Sequence, residues 1–555
     1  MPSIKAFLLI LFLLFIVKLF SQTLPSGPQV VTFFSDTDDT EQPYGLYIPK
    51  NYDPQKKYPL VVMLHGAGSN HRLALRRVFG KSNANGENDV EATRYFPAWK
   101  DVDYIVASPY ARGTMGYQGI AEKDVMDVLA DVKKRFNIDE DRTYLTGLSM
   151  GGGGSLWIGL TRPDLWAAIA PVCPAPPPGT DDLAPNVLNT PMHFFHGEVD
   201  PAVPVAVSRD WVKKLKDLGT NVTYAEYPGV GHNSWENAYA DGFIFDWFSK
   251  FKRDRFPNQV RLNTRQNQYN KAYWVTIDKL DPGLLATLDV KFSGPNQLDV
   301  KATSLGGFTL SLAGHPQFKS GLPLTVSING AKVKTTPSEK ISFLIKEGKW
   351  IQGNFEVTAN TKRQGAEGPL RAAFSSRHVY VYGTGGNPSE QELTDRRKLA
   401  EEAANWSAYR NAFLGRIMFF PRVASDKEVK PSDFESANLI LFGTKETNAI
   451  IEKYQDRLPV HLNADAKDYG LFYTFPIDGY YVVVNSGLPW WTGYEPAGFR
   501  FMPAPLMAIA EYKDFVLFKG TSKNKLAEGY FNNNWQLQDD QKKALLSSAV
   551  VTVKP

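Results

Sequence analysis

The sequence predicts a doubly wound α/β sheet, then a small β-sandwich, then a small three-layer α/β unit. Three observations lead there. From about residue 44 to 253, continuous apolar runs alternate with amphipathic helical patterns, as in a parallel sheet covered by helices on both faces. From about residue 272 the hydrophobic period changes to two, and turn signals separate the strands. From residue 378, two apolar strands ending alike, in Gly383-Thr384 and Gly443-Thr444, are each followed by a helical stretch. At 555 residues the chain exceeds what one core can organise.

The N-terminus differs from the rest. One positive charge in residues 1–5 precedes unbroken apolar residues from Ala6 to Val17, and Ser21 offers a small residue for cleavage. As a helix this run would span only about half to two-thirds of a ~30 Å hydrocarbon core, so residues 1–22 read as a signal peptide. The protein is therefore expected to be exported, periplasmic or extracellular, with no integral membrane span after signal removal. Residues 23–258 form the first domain. Strands are expected at 30–34 and 44–49, then at 58–64, 103–109, 143–146, 191–197 and 222–227, with helices at 123–136, 207–218 and 242–248. Residues 259–353 form the sandwich, with strands near 272–277, 285–292, 297–303, 308–312 and 324–328. Polar residues 354–368 read as a linker, and 369–540 as the third domain.

Composition excludes several classes. The formal net charge is +4, or +2 without Lys5 and Lys18, too close to neutral and too evenly spread for nucleic-acid binding. The single cysteine, Cys173, can form no internal disulfide and reads as a small buried hydrophobe. Neither His-x-x-x-His nor paired cysteines occur, so no metal and no cofactor are expected. Gly383-Thr384-Gly385-Gly386 matches no nucleotide fingerprint and reads as a strand-ending turn. Nothing in the sequence sets an oligomeric state.

The chemistry concentrates at Gly147-Leu148-Ser149-Met150-Gly151. A serine between two glycines at a strand-to-helix junction sits on a strained turn, with its hydroxyl above the sheet edge and free helix N–H groups behind it: the nucleophile elbow of an α/β-hydrolase. A serine hydroxyl needs a base, and the base needs a carboxylate to fix its tautomer. In this fold both follow the serine, acid then histidine, on loops after later strands. Asp200 lies just beyond the strand at 191–197, with Glu198 as its rival; Asp181 and Asp182 have no strand to position them. Among eight histidines, only His232 lies in a glycine-flanked loop after the next strand. Oxyanion donors are expected from the backbone N–H of Met150 and from the His65-Gly66-Ala67-Gly68 loop, Ala67 before Gly66. Trp235, Trp157 and Trp99 are candidate pocket walls or core, and His65 a substrate contact or a loop anchor.

Leu64-His65-Gly66, Tyr144-Leu145-Thr146-Gly147-Leu148-Ser149-Met150-Gly151-Gly152, His196-Gly197-Glu198-Val199-Asp200 and Tyr227-Pro228-Gly229-Val230-Gly231-His232 resemble the secreted α/β-hydrolases related to polyhydroxybutyrate depolymerases and feruloyl esterases, often labelled prolyl oligopeptidase-family serine peptidases. The resemblance covers about residues 40–250. It implies Ser149 as nucleophile, Asp200 as acid and His232 as base, acting on a small-molecule or polysaccharide-linked ester. Only about 20 mature residues precede the first strands, and no propeller-like repeat appears, so access is uncapped on the N-terminal side and a feruloyl, acetyl or short-chain ester is favoured over a peptide. The alternatives are a prolyl oligopeptidase-type peptidase and a catalytically dead scaffold that binds a polysaccharide or envelope partner.

Overall fold

The computed structural model describes residues 24–358, 361–406, 416–495 and 503–554. The expected signal peptide lies outside them. Among the described residues no helix is long and apolar enough to cross a membrane.

The first domain is built on eight strands: β1 (Gly27–Ser35), β2 (Thr40–Ile48), β3 (Tyr58–Leu64), β4 (Ile105–Pro109), β5 (Ile138–Leu148), β6 (Ala168–Val172), β7 (Met192–Gly197) and β8 (Val222–Tyr227). Their order is β1-β2-β4-β3-β5-β6-β7-β8. β2 is antiparallel to β1 and β4, and all later pairs are parallel. This is an α/β-hydrolase sheet. β3 is buried along its whole length, because helices cover both faces and leave no side for polar alternation. Three helices matter below: α1 (His71–Val78), α2 (Ile120–Arg135) and α3 (Met150–Thr161). α2 buries Val125, Val128, Leu129 and Val132 at helical spacing against the sheet, as its periodicity predicts.

β6 and α1 have no counterpart among the sequence expectations. β6 is made of Ala-Ile-Ala-Pro-Val, and its two alanines and interior proline outnumber the strand formers Ile169 and Val172, so propensity hides it. Pairing with β5 from Tyr144↔Ala168 to Leu148↔Val172 makes it a strand.

Residues 259–352 form two five-stranded sheets that enclose Val260, Leu288, Phe308 and Phe343. The third unit is a seven-stranded mixed sheet around Asn438–Phe442, Tyr469–Ile477 and Tyr480–Gly487. It runs past residue 540: Val551–Val553 pairs with Val460–Leu462. Of the stretch 354–368, residues 354–358 are largely exposed, whereas 361, 362 and 366–368 are buried. Lys362 is buried in an ion pair with Asp514. The buried carboxyl group of Glu367 accepts the backbone N–H groups of Asn267 and, at 3.1 Å, Gln268. Lys362 and Glu367 are spent on joining domains, which composition cannot distinguish from solvation.

The first and third units are also sewn together. Met418 N–H donates to Arg112 C=O at 3.0 Å, Gly113 bridges to Ile417, and Arg377 holds Asp39 in a two-pronged pair at 2.6 and 2.7 Å. Arg371 and Trp406 of the third unit also face Met150 and Gly154 across a shared cavity.

Candidate active site

β5 ends at Leu148 and α3 begins at Met150, so Ser149 alone makes the turn, at φ +55° and ψ −117°. A non-glycine residue there is strained, and the surroundings hold it. Ser149 N–H donates to Val172 C=O at 2.9 Å, and Ser149 C=O accepts from Gly153 and Ala175 at 2.9 and 3.1 Å. The flanking glycines are required by contact. A Cβ on Gly147 would lie 2.3 Å from Gly151 O, and one on Gly151 2.2 Å from Leu64 O.

The loops after β7 and β8 are pressed together. Val199 N–H donates to Val230 C=O at 3.1 Å, and a Cβ on Gly197 would lie 2.2 Å from Gly231 O. This sets Asp200 beside His232. His232 Nδ1 lies 2.7 Å from Asp200 Oδ2, and His232 Nε2 lies 3.0 Å from Ser149 Oγ. With Nδ1–H donating to the carboxylate, Nε2 is the free acceptor facing the hydroxyl.

Asp200 has a fully buried side chain. Its Oδ1 accepts the N–H groups of Ala202 and Val203 at 2.8 and 2.9 Å. Burial pushes its carboxyl up, but His232 and the two N–H donors outweigh burial and hold it below the ordinary carboxylate value. Glu198 is turned elsewhere, its Oε2 accepting Gly229 N–H at 3.0 Å. Asp181 and Asp182 pair with Lys214 and Arg265 on the surface.

Sequence reasoning set His196 aside, yet it buttresses the acid. It is fully buried, with Nε2 2.9 Å from Val203 O and 3.2 Å from Asp200 Oδ2, while Nδ1 meets Ser208 Oγ at 2.7 Å. Cys173 lies beneath the histidine, its Sγ 3.5 Å from His232 O. Cys173, Asp200 and His232 present ligand-type atoms within 4.8 Å of one another. Burial pushes the thiol up to about 12, so it stays protonated and is a poor metal ligand.

The N–H groups of Met150 and Ala67 meet no acceptor among the described residues. Gly66 lies against the elbow: a Cβ there would fall 2.7 Å from Leu148 Cδ1 and 3.5 Å from Ser149 Cβ. His65 is buried, its ring nitrogens each 2.8 Å from the carbonyl oxygens of Gly66 and Tyr110, a loop anchor and not a substrate contact. Trp235 packs edge-on against His232, centroids 5.6 Å apart, and so abuts the imidazole. Trp157 is not a pocket wall but faces the second unit. Its indole N–H donates to Glu122 at 2.7 Å and its ring meets Tyr269 of the second unit edge-on, which makes it an interdomain contact. Trp99 is half-buried and stacks on Phe79 at 4.6 Å against the core. The Gly383 turn is filled by Asp426, which accepts Thr384 N–H at 3.1 Å.

Residues 51–242 match the family model described as Phospholipase/Carboxylesterase. Acyl-protein thioesterase 1 of Gibberella zeae is 35% identical over 99 residues, 17% of this chain and 42% of that protein. Probable feruloyl esterase C of Aspergillus oryzae is 26% identical over 213 residues, 37% of this chain and 72% of that protein. The chain thus spans about two fifths of the length of the first curated relatives it matches. Among solved structures, a thermostable esterase is 29% identical, with 41% of this chain and 63% of that one covered at a TM-score of 0.33. A ferulic acid esterase is 18% identical, with 41% and 98% covered, also at 0.33.

Proposed function

We propose that this chain, whose first domain is an α/β-hydrolase, is a serine hydrolase that cleaves carboxylic esters through an acyl-enzyme. Ser149 Oγ attacks the ester carbonyl as His232 Nε2 takes its proton, and Asp200 holds the imidazole in the accepting tautomer and stabilises the imidazolium. The oxyanion forms against the N–H groups of Met150 and Ala67, with Gly66 letting that loop lie against the elbow. His232 returns the proton to the departing alcohol, then activates a water that cleaves the acyl-enzyme.

The observation that carries this reading is the relay of 3.0 and 2.7 Å from hydroxyl to imidazole to buried carboxylate, starting from a serine at positive φ. The preference for esters over peptides is supported by the names of the relatives, a thioesterase and a probable feruloyl esterase. Feruloyl, acetyl and short-chain acyl groups are the substrates to try first. The apolar leader supports action outside the cytoplasm. Ser149→Ala is expected to abolish p-nitrophenol release from short acyl esters and labelling by a fluorophosphonate, with the circular dichroism spectrum unchanged. Turnover retained at the wild-type rate would refute the assignment.

A further inference from the structure

A cavity of about 630 Å³ lies between the first and third units. Met150, the residue directly after Ser149, and Gly154 of α3 form one side. Arg371 and Trp406 of the third unit form the other. Two features on its wall favour an anion. The first is the N-terminus of α2: Gln118, Gly119 and Ile120 line the cavity, and this 16-residue helix has no side-chain cap. Its unsatisfied N–H groups and aligned peptide dipoles attract negative charge. The second is Arg371. Among the described residues it takes part in no ion pair, and its side-chain acceptor is the neutral Gln118 Oε1 at 2.5 Å.

The neighbouring acids do not neutralise this pair. Glu122, in the first turn of α2, is already bound by Arg162 and accepts from Trp157 and Tyr269 at 2.7 Å each. Glu511, the acidic side chain on the cavity wall, is exposed and accepts from Tyr494 at 3.2 Å. Burial pushes the Arg371 guanidinium down, and Tyr269 and Glu122 do not make up for it. A guanidinium held this way gains by meeting a carboxylate, which it binds with two parallel N–H donors.

Building on the ester-hydrolase reading, we propose that the cavity binds a carboxylate carried by the ester substrate, held between Arg371 and the N-terminus of α2, so that the enzyme selects acidic esters. The third unit is then a specificity element of the active site. Arg371 binds substrate and takes no part in the proton relay.

The full chain is assayed by pH-stat on two matched pairs: phenyl butyrate against 4-carboxyphenyl butyrate, and methyl hexanoate against monomethyl adipate. The first places the carboxylate on the alcohol, the second on the acyl group. The expected result is that kcat/KM favours the acidic member of at least one pair by about tenfold or more, and that Arg371→Gln reduces that ratio by about tenfold, chiefly through KM. Arg371→Lys is expected to recover part of it, since it keeps the charge without the fork. If Arg371→Gln does not fold, a lowered ratio in Arg371→Lys carries the same meaning. Equal rates within both pairs for the wild type, or a ratio that Arg371 variants do not move, would overturn the proposal while leaving the hydrolase reading intact. Absence of hydrolysis of every member would overturn both.

Discussion

Replacing Asp200 with asparagine removes one charge while nearly preserving shape, and the structure dictates how the new amide must sit. Oδ1 accepts two backbone N–H groups, from Ala202 and Val203 at 2.8 and 2.9 Å. Backbone donors cannot reverse their polarity, so the amide oxygen takes that position and the NH₂ group faces His232. His232 can reverse: it accepts the NH₂ at Nδ1 and moves its own proton to Nε2. That proton then points at Ser149 Oγ, 3.0 Å away, and the base can no longer accept. The NH₂ group also meets His196 Nε2–H, 3.2 Å from the present Oδ2, a donor facing a donor. Losing both the tautomer and the carboxylate's support of the imidazolium costs roughly 4–5.5 kcal/mol of transition-state stabilisation, about 10³–10⁴ in kcat/KM. The assay is p-nitrophenyl acetate hydrolysis at pH 7.5, alongside the rate of fluorophosphonate labelling. A loss smaller than about tenfold in both would show that Asp200 does not control the tautomer.

Three further outcomes are expected. Because the folded carboxyl of Asp200 lies below its ordinary value, its stabilising contribution is full above the unfolded carboxylate range and lost as pH falls through the lower folded value. Melting temperatures of wild type and Asp200→Asn should therefore converge only below about pH 4; a gap unchanged at pH 3 argues against it. Burial raises Glu367 to about 8 despite the N–H groups of Asn267 and Gln268. The folded state thus holds a proton that the unfolded state has released, and this part of the stability declines as pH rises from about 4.5 to 8. Glu367→Gln should gain in melting temperature relative to wild type on going from pH 5 to pH 8.5, and a parallel course of the two curves would count against the shift. Gly151→Ala would drive a Cβ to 2.2 Å from Leu64 O, a backbone clash costing ~3 kcal/mol or more. A melting temperature within a degree of wild type would mean that the elbow is looser than it looks.

The sequence alone determined which side chains of the candidate site meet, and their order along the chain. Gly147, Ser149 and Gly151 mark the elbow because a turn this tight admits no side chain on either flank, a constraint written in three residues. Asp200 and His232 were legible because each follows an apolar strand, and strand ends in a parallel sheet share one rim. Tertiary structure decided everything set by neighbours distant in sequence. β6, with two alanines and a proline among its five residues, is a strand because β5 and β7 flank it. Trp157 and Trp235 look alike as letters, yet one is drawn into the interdomain contact by Glu122 and Tyr269 while the other abuts His232. Arg371 reads as one of many surface cations until two domains close over it and set it on the wall of a cavity beside Met150. Periodicity reports which face of an element is buried; it carries no information about which element from another domain does the burying.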